Sequence, residues 1–283
     1  TGALVMVHAE NGDAIDVLIK QALAAGNTEP HWHALTRPPE LEGEATNRAI
    51  QLARIAGAPL YVVHVSCKEA VEPIARAREQ GWDVWGETCT QYFFVDYTYL
   101  ERPDFEGAKY VYTPPPRDRE NQEILWPAVR SDILSAISTD HCAFLWDGQK
   151  SLGKDDFSMI PNGGPGLENR LHMIHEFGVR TGRITLNRMV ELLSTNPAKL
   201  FGLFPRPSPG ERHGFDVADR ALPACRPAHE QQCGPEAPGA VRLFLHVHRD
   251  RVGLAVAATE RGRTLVLGHV PAQRHLAHRP LTV

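Results

Sequence analysis

The stretch Ala3-Leu4-Val5-Met6-Val7-His8-Ala9-Glu10-Asn11-Gly12 decides how the chain is read. Its five consecutive apolar residues have the pattern of a strand buried on both faces, and the run stops at a histidine followed by polar residues and glycine. Downstream, Ile15, Leu18, Ile19, Ala22 and Leu23 recur at helical spacing from Asp13 to a stop at Gly26-Asn27. The same alternation repeats. Glu44 to Ala56 reads as a helix, Ala58 to Val63 as a buried strand ending at His64-Val65-Ser66, and Lys68 to Gln80 as a helix. Trp82 to Trp85 reads as a strand, with a loop opening at Gly86-Glu87-Thr88-Cys89. Residues 121 to 134 carry a helical apolar face, and Ser135 to Ser138 gives a strand ending at Thr139-Asp140-His141. Helices are expected at about 168 to 180 and 185 to 194.

Strands alternating with helices predict a parallel sheet, either open and doubly wound or closed as a (β/α)8 barrel. No glycine-rich dinucleotide or phosphate turn follows any strand. Instead His8, His64 and Asp140 each stand just past the C-terminal end of a different strand, where ligands converge in barrels. The expected fold class is therefore α/β, a partial (β/α)8 TIM barrel. About four strands are countable, roughly half of eight, and Thr1 runs straight into the first of them. The expectation is a fragment holding about the C-terminal half of the barrel.

Beyond Arg206 the composition changes. Residues 207–283 contain no Lys, Ile, Met, Asn or Tyr, but ten Arg, eight Pro and seven His. The five missing types are all encoded by codons beginning with two A or T bases, as when a GC-rich coding strand is translated out of frame; a low-complexity tail is the alternative. Two regions are expected: a partial barrel domain over 1–206 and an irregular Arg/Pro/His-rich tail over 207–283. Val241 to Val247 and Thr264 to Leu267 have strand-like apolar content.

With 30 basic and 34 acidic residues the net charge is −4, without the basic excess that nucleic-acid binding needs. The apolar runs fall far short of the ~18 residues of a membrane span, and no basic region precedes an apolar signal core. A cytoplasmic location is the default expectation, with no nucleic-acid or membrane partner. Five cysteines without a CxxC pair read as reduced thiols rather than a disulfide framework.

Neutral imidazole and carboxylate are ligands for first-row metals, and two His with one Asp on converging strand ends suit Zn²⁺ or a similar ion. His31-Trp32-His33 and His246-Val247-His248 have chelating spacing, but the first sits in a polar loop and the second in the tail. Both are read as solvent-exposed or locally hydrogen-bonded. Tyr112-Thr113-Pro114-Pro115-Pro116-Arg117 makes a rigid loop, and Pro161-Asn162-Gly163-Gly164-Pro165-Gly166 a second one whose glycines admit close approach of backbone.

Six motifs then fall in a recognisable order: Val7-His8-Ala9-Glu10-Asn11-Gly12, Val63-His64-Val65-Ser66-Cys67, Glu87-Thr88-Cys89-Thr90-Gln91-Tyr92, Thr113-Pro114-Pro115, Ser138-Thr139-Asp140-His141-Cys142, and Asn196-Pro197-Ala198-Lys199-Leu200-Phe201-Gly202. Together they resemble the dihydropyrimidinase/D-hydantoinase family of the amidohydrolase superfamily, over about residues 1 to 206. The resemblance implies a metal-dependent enzyme of pyrimidine catabolism that opens cyclic amides or imides, dihydropyrimidines or hydantoins, to N-carbamoyl amino acids by metal-activated hydroxide. It implies two Zn²⁺ per active site, with His8 and His64 as ligands of one ion and Asp140 as ligand of the other and proton shuttle. Thr113 and Asn162 take the positions whose backbone groups hold the substrate, and the complete protein is expected to be a homotetramer.

The family's His-x-His ligands, its carbamylated bridging Lys and its substrate-binding Tyr fall upstream of the position matching His8. Lys20 and Lys68, on helix surfaces, are no substitutes, so the isolated chain is expected to be inactive. A non-catalytic dihydropyrimidinase-like scaffold protein and an allantoinase-type hydrolase are the alternatives.

Overall fold

The computed structural model describes residues 2–203, together with the backbone of Arg242–His248, Arg251–Ala257, Thr259–Glu260 and Arg263–Thr264. The chain divides into two units, Thr1–Ala224 and Cys225–Val283. In the first, strands and helices alternate as β1 (Val5–Val7), α1 (Gly12–Ala24), α2 (Trp32–Leu35), α3 (Pro39–Ala56), β2 (Leu60–Val62), α4 (Lys68–Glu79), β3 (Val84–Cys89), α5 (Arg119–Arg130) and β4 (Ala136–Ser138). Helical turns Arg170–Ile174 and His175–Val179, then Leu186–Val190 to Asn196–Leu200, follow.

The strands form one sheet in the order β1-β2-β3-β4, every described pair parallel. Each strand therefore neighbours the next in sequence, and the order never reverses. A reversal is what creates the crevice of an open doubly wound sheet. The register sets Val7 opposite Val62, Val62 opposite Gly86, and Cys89 opposite Ser138, so the ends of the strands share one edge. Val62, Ile74, Val84, Leu125, Val129, Ile137 and Leu192 are buried in the main core. Close approach of α3 to α4 requires Gly43, since a Cβ there would stand 2.7 Å from the Glu69 carbonyl oxygen.

Three boundaries differ from the sequence reading. Helix α3 starts at Pro39 rather than Glu44, because proline fits the first helical position and Glu40 and Glu42 lie in the first turn. Strand β3 continues through Gly86-Glu87-Thr88 to Cys89, where a loop was expected. Helix α5 ends at Arg130 instead of residue 134, and Asp132 beyond it takes a left-handed conformation with φ of 64°.

In the second unit, Arg242–His248 pairs antiparallel with Arg251–Ala257, matching the strand-like content at Val241 to Val247. The out-of-frame reading of residues 207–283, the composition break after Arg206, and the side chains of His246 and His248 lie outside the described residues. Among the described residues no helix is long and apolar enough to cross a membrane, and Cys67, Cys89 and Cys142 are free thiols.

Candidate functional site

His8 follows β1 directly and His64 stands two residues past β2. The parallel register continues beyond the strands, with Val63 N–H donating to Val7 O at 3.1 Å, so the two rings meet. His8 Nδ1 lies 2.8 Å from His64 Nε2, with the rings edge-on at a centroid distance of 4.6 Å. His64 is buried and strained at φ of 42°, and its Nδ1 has no hydrogen-bond partner. Burial, reinforced by His8, holds the His64 imidazole well below the usual histidine range, so the ring is neutral at pH 7.

Asp140 lies two residues past β4, also at a positive φ, of 45°. Its outer edge reaches solvent, yet the surrounding protein raises its carboxyl above the ordinary range, with His8 opposing. Among the described residues, no three His, Cys, Asp or Glu side chains close into a metal-ligating cluster. The structure thus joins His8 to His64 and leaves Asp140 beside them. Below, Glu87 on β3 accepts from Tyr61 Oη and Ser138 Oγ, each at 2.8 Å.

Thr113 and Asn162 belong to two loops tied into one rim. Gly163 N–H donates to Val111 O at 2.9 Å, and the Lys150 ammonium reaches both Val111 O at 2.9 Å and Pro161 O at 2.6 Å. The Asn162 loop also meets the Asp140 loop: His141 bridges to Gly164, and Cys142 N–H donates to Gly164 O at 3.1 Å. Gly163 sits at φ of 148°, and a Cβ there would lie 2.4 Å from Cys142 O. Tyr92 Oη donates to Pro114 O at 2.7 Å. Around these clamps, the backbone N–H and C=O of Thr113 and Asn162 make no hydrogen bond among the described residues.

The remaining clamp corrects the sequence reading of His33. Its side chain is buried rather than exposed, and beside a local bond to Arg37 its Nε2 lies 3.0 Å from Tyr112 O, 79 positions along the chain. Arg37 can only donate, so His33 Nδ1, 3.0 Å from Arg37 Nη1, accepts and Nε2 carries the hydrogen given to Tyr112. Burial, then Arg37, keeps this imidazole well below its ordinary pKa. Lys150 is likewise buried, and burial lowers it to about 8. Lys20 and Lys68 are exposed, as expected.

Sequence reasoning missed His33, Lys150, Glu10, Arg117 and Glu87 as parts of the site's support. Glu10 and Glu87 lay inside the recognised motifs and Arg117 at the end of the rigid loop, and a carboxylate two residues from His8 was the one available signal.

No family model matches the chain. Over 205 residues it is 60% identical to the D-hydantoinase of Geobacillus stearothermophilus, covering 72% of this chain and 44% of that protein. It is 55% identical over 205 residues to the D-hydantoinase of Rhizobium radiobacter, covering 72% and 45%. Among solved structures, it superposes on the dihydropyrimidinase from Brevibacillus agri NCHU1002 with a TM-score of 0.71 at 60% identity, covering 72% of this chain and 44% of that one. The chain thus spans less than half the length of the relatives it matches. Over that matched stretch, the chain is homologous to D-hydantoinases and dihydropyrimidinases.

Proposed function

We propose that residues 1–206 are part of a (β/α)8-barrel hydrolase, cytoplasmic and tetrameric when complete, that opens dihydropyrimidine or hydantoin rings to N-carbamoyl amino acids. Residues 207–283 would form a separate tail. The unreversed parallel strand order supports a barrel segment. The observation that carries the function is the 2.8 Å approach of His8 Nδ1 to His64 Nε2 at the strand ends. Two imidazole nitrogens this close must share one hydrogen, which a cation bound by both would replace.

The donor set fits zinc: two neutral imidazoles and a nearby carboxylate are of the right type, and the unpartnered His64 Nδ1 can carry the ring's hydrogen once Nε2 turns ligand. In the complete enzyme His8 and His64 would hold one ion and Asp140 the other; in the 283-residue chain the three would share a single ion. When bound, zinc supplies a Lewis acid that lowers the pKa of water and polarises a carbonyl. These three residues suffice for one ion, which is why the 283-residue chain alone is proposed to lack hydrolase activity.

The rest of the chemistry falls to this chain's own groups. The unpaired N–H and C=O groups of Thr113 and Asn162 complement the C=O and N–H edges of a cyclic amide, and their clamped loops fix its orientation. Asp140, on the same rim, takes a proton from the attacking water at a carboxylate oxygen and returns it to the ring nitrogen as the C–N bond breaks.

A chimera tests this reading: the matched segment replaces its counterpart in the Geobacillus stearothermophilus D-hydantoinase, and hydrolysis of hydantoin and dihydrouracil is assayed. The chimera should be active, and Asp140→Ala should cost at least about a hundredfold, the scale of lost proton transfer. A folded but inactive chimera, or an Asp140→Ala form retaining more than about a hundredth of the rate, contradicts it.

A further inference from the structure

If His8 Nδ1 faces a metal, something must keep the ring's hydrogen on the other nitrogen. His8 Nε2 donates to Glu10 Oε2 at 3.0 Å, and only 4% of the Glu10 side chain is exposed. An imidazole with its hydrogen on Nε2 has its lone pair on Nδ1, the atom aimed at His64.

Glu10 is poorly explained as a stabilising residue. Its Oε1 is buried with no hydrogen bond and lies 4.0 Å from the nearest guanidinium nitrogen of Arg117. A buried carboxylate kept for stability alone would have both oxygens satisfied.

Arg117 is held in place on three sides. It donates to Glu42 Oε2 at 2.8 Å, to Ser66 Oγ at 3.0 Å and to the Arg37 carbonyl. Glu42 is fixed in turn by Ser66 N–H at 2.9 Å and by the Ser66 hydroxyl at 2.5 Å. Arg117 also ends the stiff run Thr113-Pro114-Pro115-Pro116 that carries one substrate-facing backbone.

We propose that Glu10 is a positioning residue that fixes the tautomer and aim of His8, and that Arg117 fixes Glu10, tying the metal ligand to the substrate-facing loop through one guanidinium. The inference rests on His8 being a metal ligand. Carboxylates that orient ligand histidines affect metal affinity by about 10–100-fold, which sets the expected size of the effect.

The metal-free 283-residue chain is titrated with Co²⁺, following visible absorption in competition with a chromophoric chelator. The His8 tautomer is read from two-bond ¹H–¹⁵N correlations at a pH where the ring is neutral. Wild type should bind Co²⁺ and show His8 with its hydrogen on Nε2. Glu10→Gln should weaken Co²⁺ binding about 10–100-fold and mix the tautomers, with circular dichroism unchanged. Glu10→Asp keeps the charge but shortens the reach; it should fall between the two, and it decides the matter if the Gln form does not fold.

Unchanged affinity and tautomer in these variants, with Co²⁺ bound by wild type, overturns the positioning role alone. A wild type that binds no Co²⁺ overturns the ligand reading, and the inference with it.

Discussion

The strand-end pair His8/His64 and the Thr113/Asn162 rim are built differently. The pair is placed by backbone register: β1 and β2 align Val7 with Val62, and the next residues bring two rings together. The rim has no ladder of its own. It is fastened by single side chains from far along the chain, His33 onto Tyr112 O, Lys150 onto Val111 O and Pro161 O, and Tyr92 onto Pro114 O. Side chains placed by register can change without unfolding the sheet. Clamps cannot be removed without leaving buried carbonyls unpaired, at about 1–3 kcal/mol each.

The largest predicted contrast follows. His33→Leu strips the donor from Tyr112 O and an acceptor from the buried Arg37 guanidinium, and should cost about 2–4 kcal/mol in thermal or urea unfolding. His64→Asn gives up an unpartnered buried nitrogen and one hydrogen bond, to His8, and keeps a residue type that tolerates a left-handed backbone, so it should cost only about 1 kcal/mol. Equal losses would erase the distinction between register and clamp.

A smaller, pH-dependent effect sharpens the same comparison. Burial lowers Lys150 from 10.5 to about 8. Between those values the unfolded chain still binds the proton that the folded chain has released, so rising pH favours the folded state through this group. Lys150→Met removes the contribution. Wild-type Tm minus variant Tm should therefore grow by a few degrees at most from pH 8 to pH 10.5; a flat difference would mean that the ammonium is not held in the rim as described.

The same division explains what could be read in the sequence. Strands β1, β2 and β4 announced themselves as short apolar runs, and the residues just past them were legible because a strand that stops at His or Asp leaves a mark in one dimension. Strand β3 was cut short at Trp85 because Glu87 looks like loop; only in the folded sheet do Tyr61 and Ser138, from its two neighbours, satisfy that carboxylate. His33 and Lys150 were illegible for a related reason. Nothing near them in sequence reveals that their partners are carbonyls 79 and 39 positions away. Thr113 and Asn162 came from the family resemblance, and the structure adds what no motif carries: their backbone groups make no hydrogen bond among the described residues.

The central claim is that His8 and His64 together hold a metal ion. Zinc K-edge X-ray absorption on the 283-residue chain, loaded with one equivalent of zinc, addresses it most directly, because twelve of the chain's fourteen histidines could compete with this pair. The account predicts two imidazole nitrogens at about 2.0–2.1 Å with oxygen completing the shell, and loss of the imidazole scattering in a chain carrying both His8→Ala and His64→Asn. An oxygen-only shell in the wild type, or imidazole scattering that survives both substitutions, would contradict it.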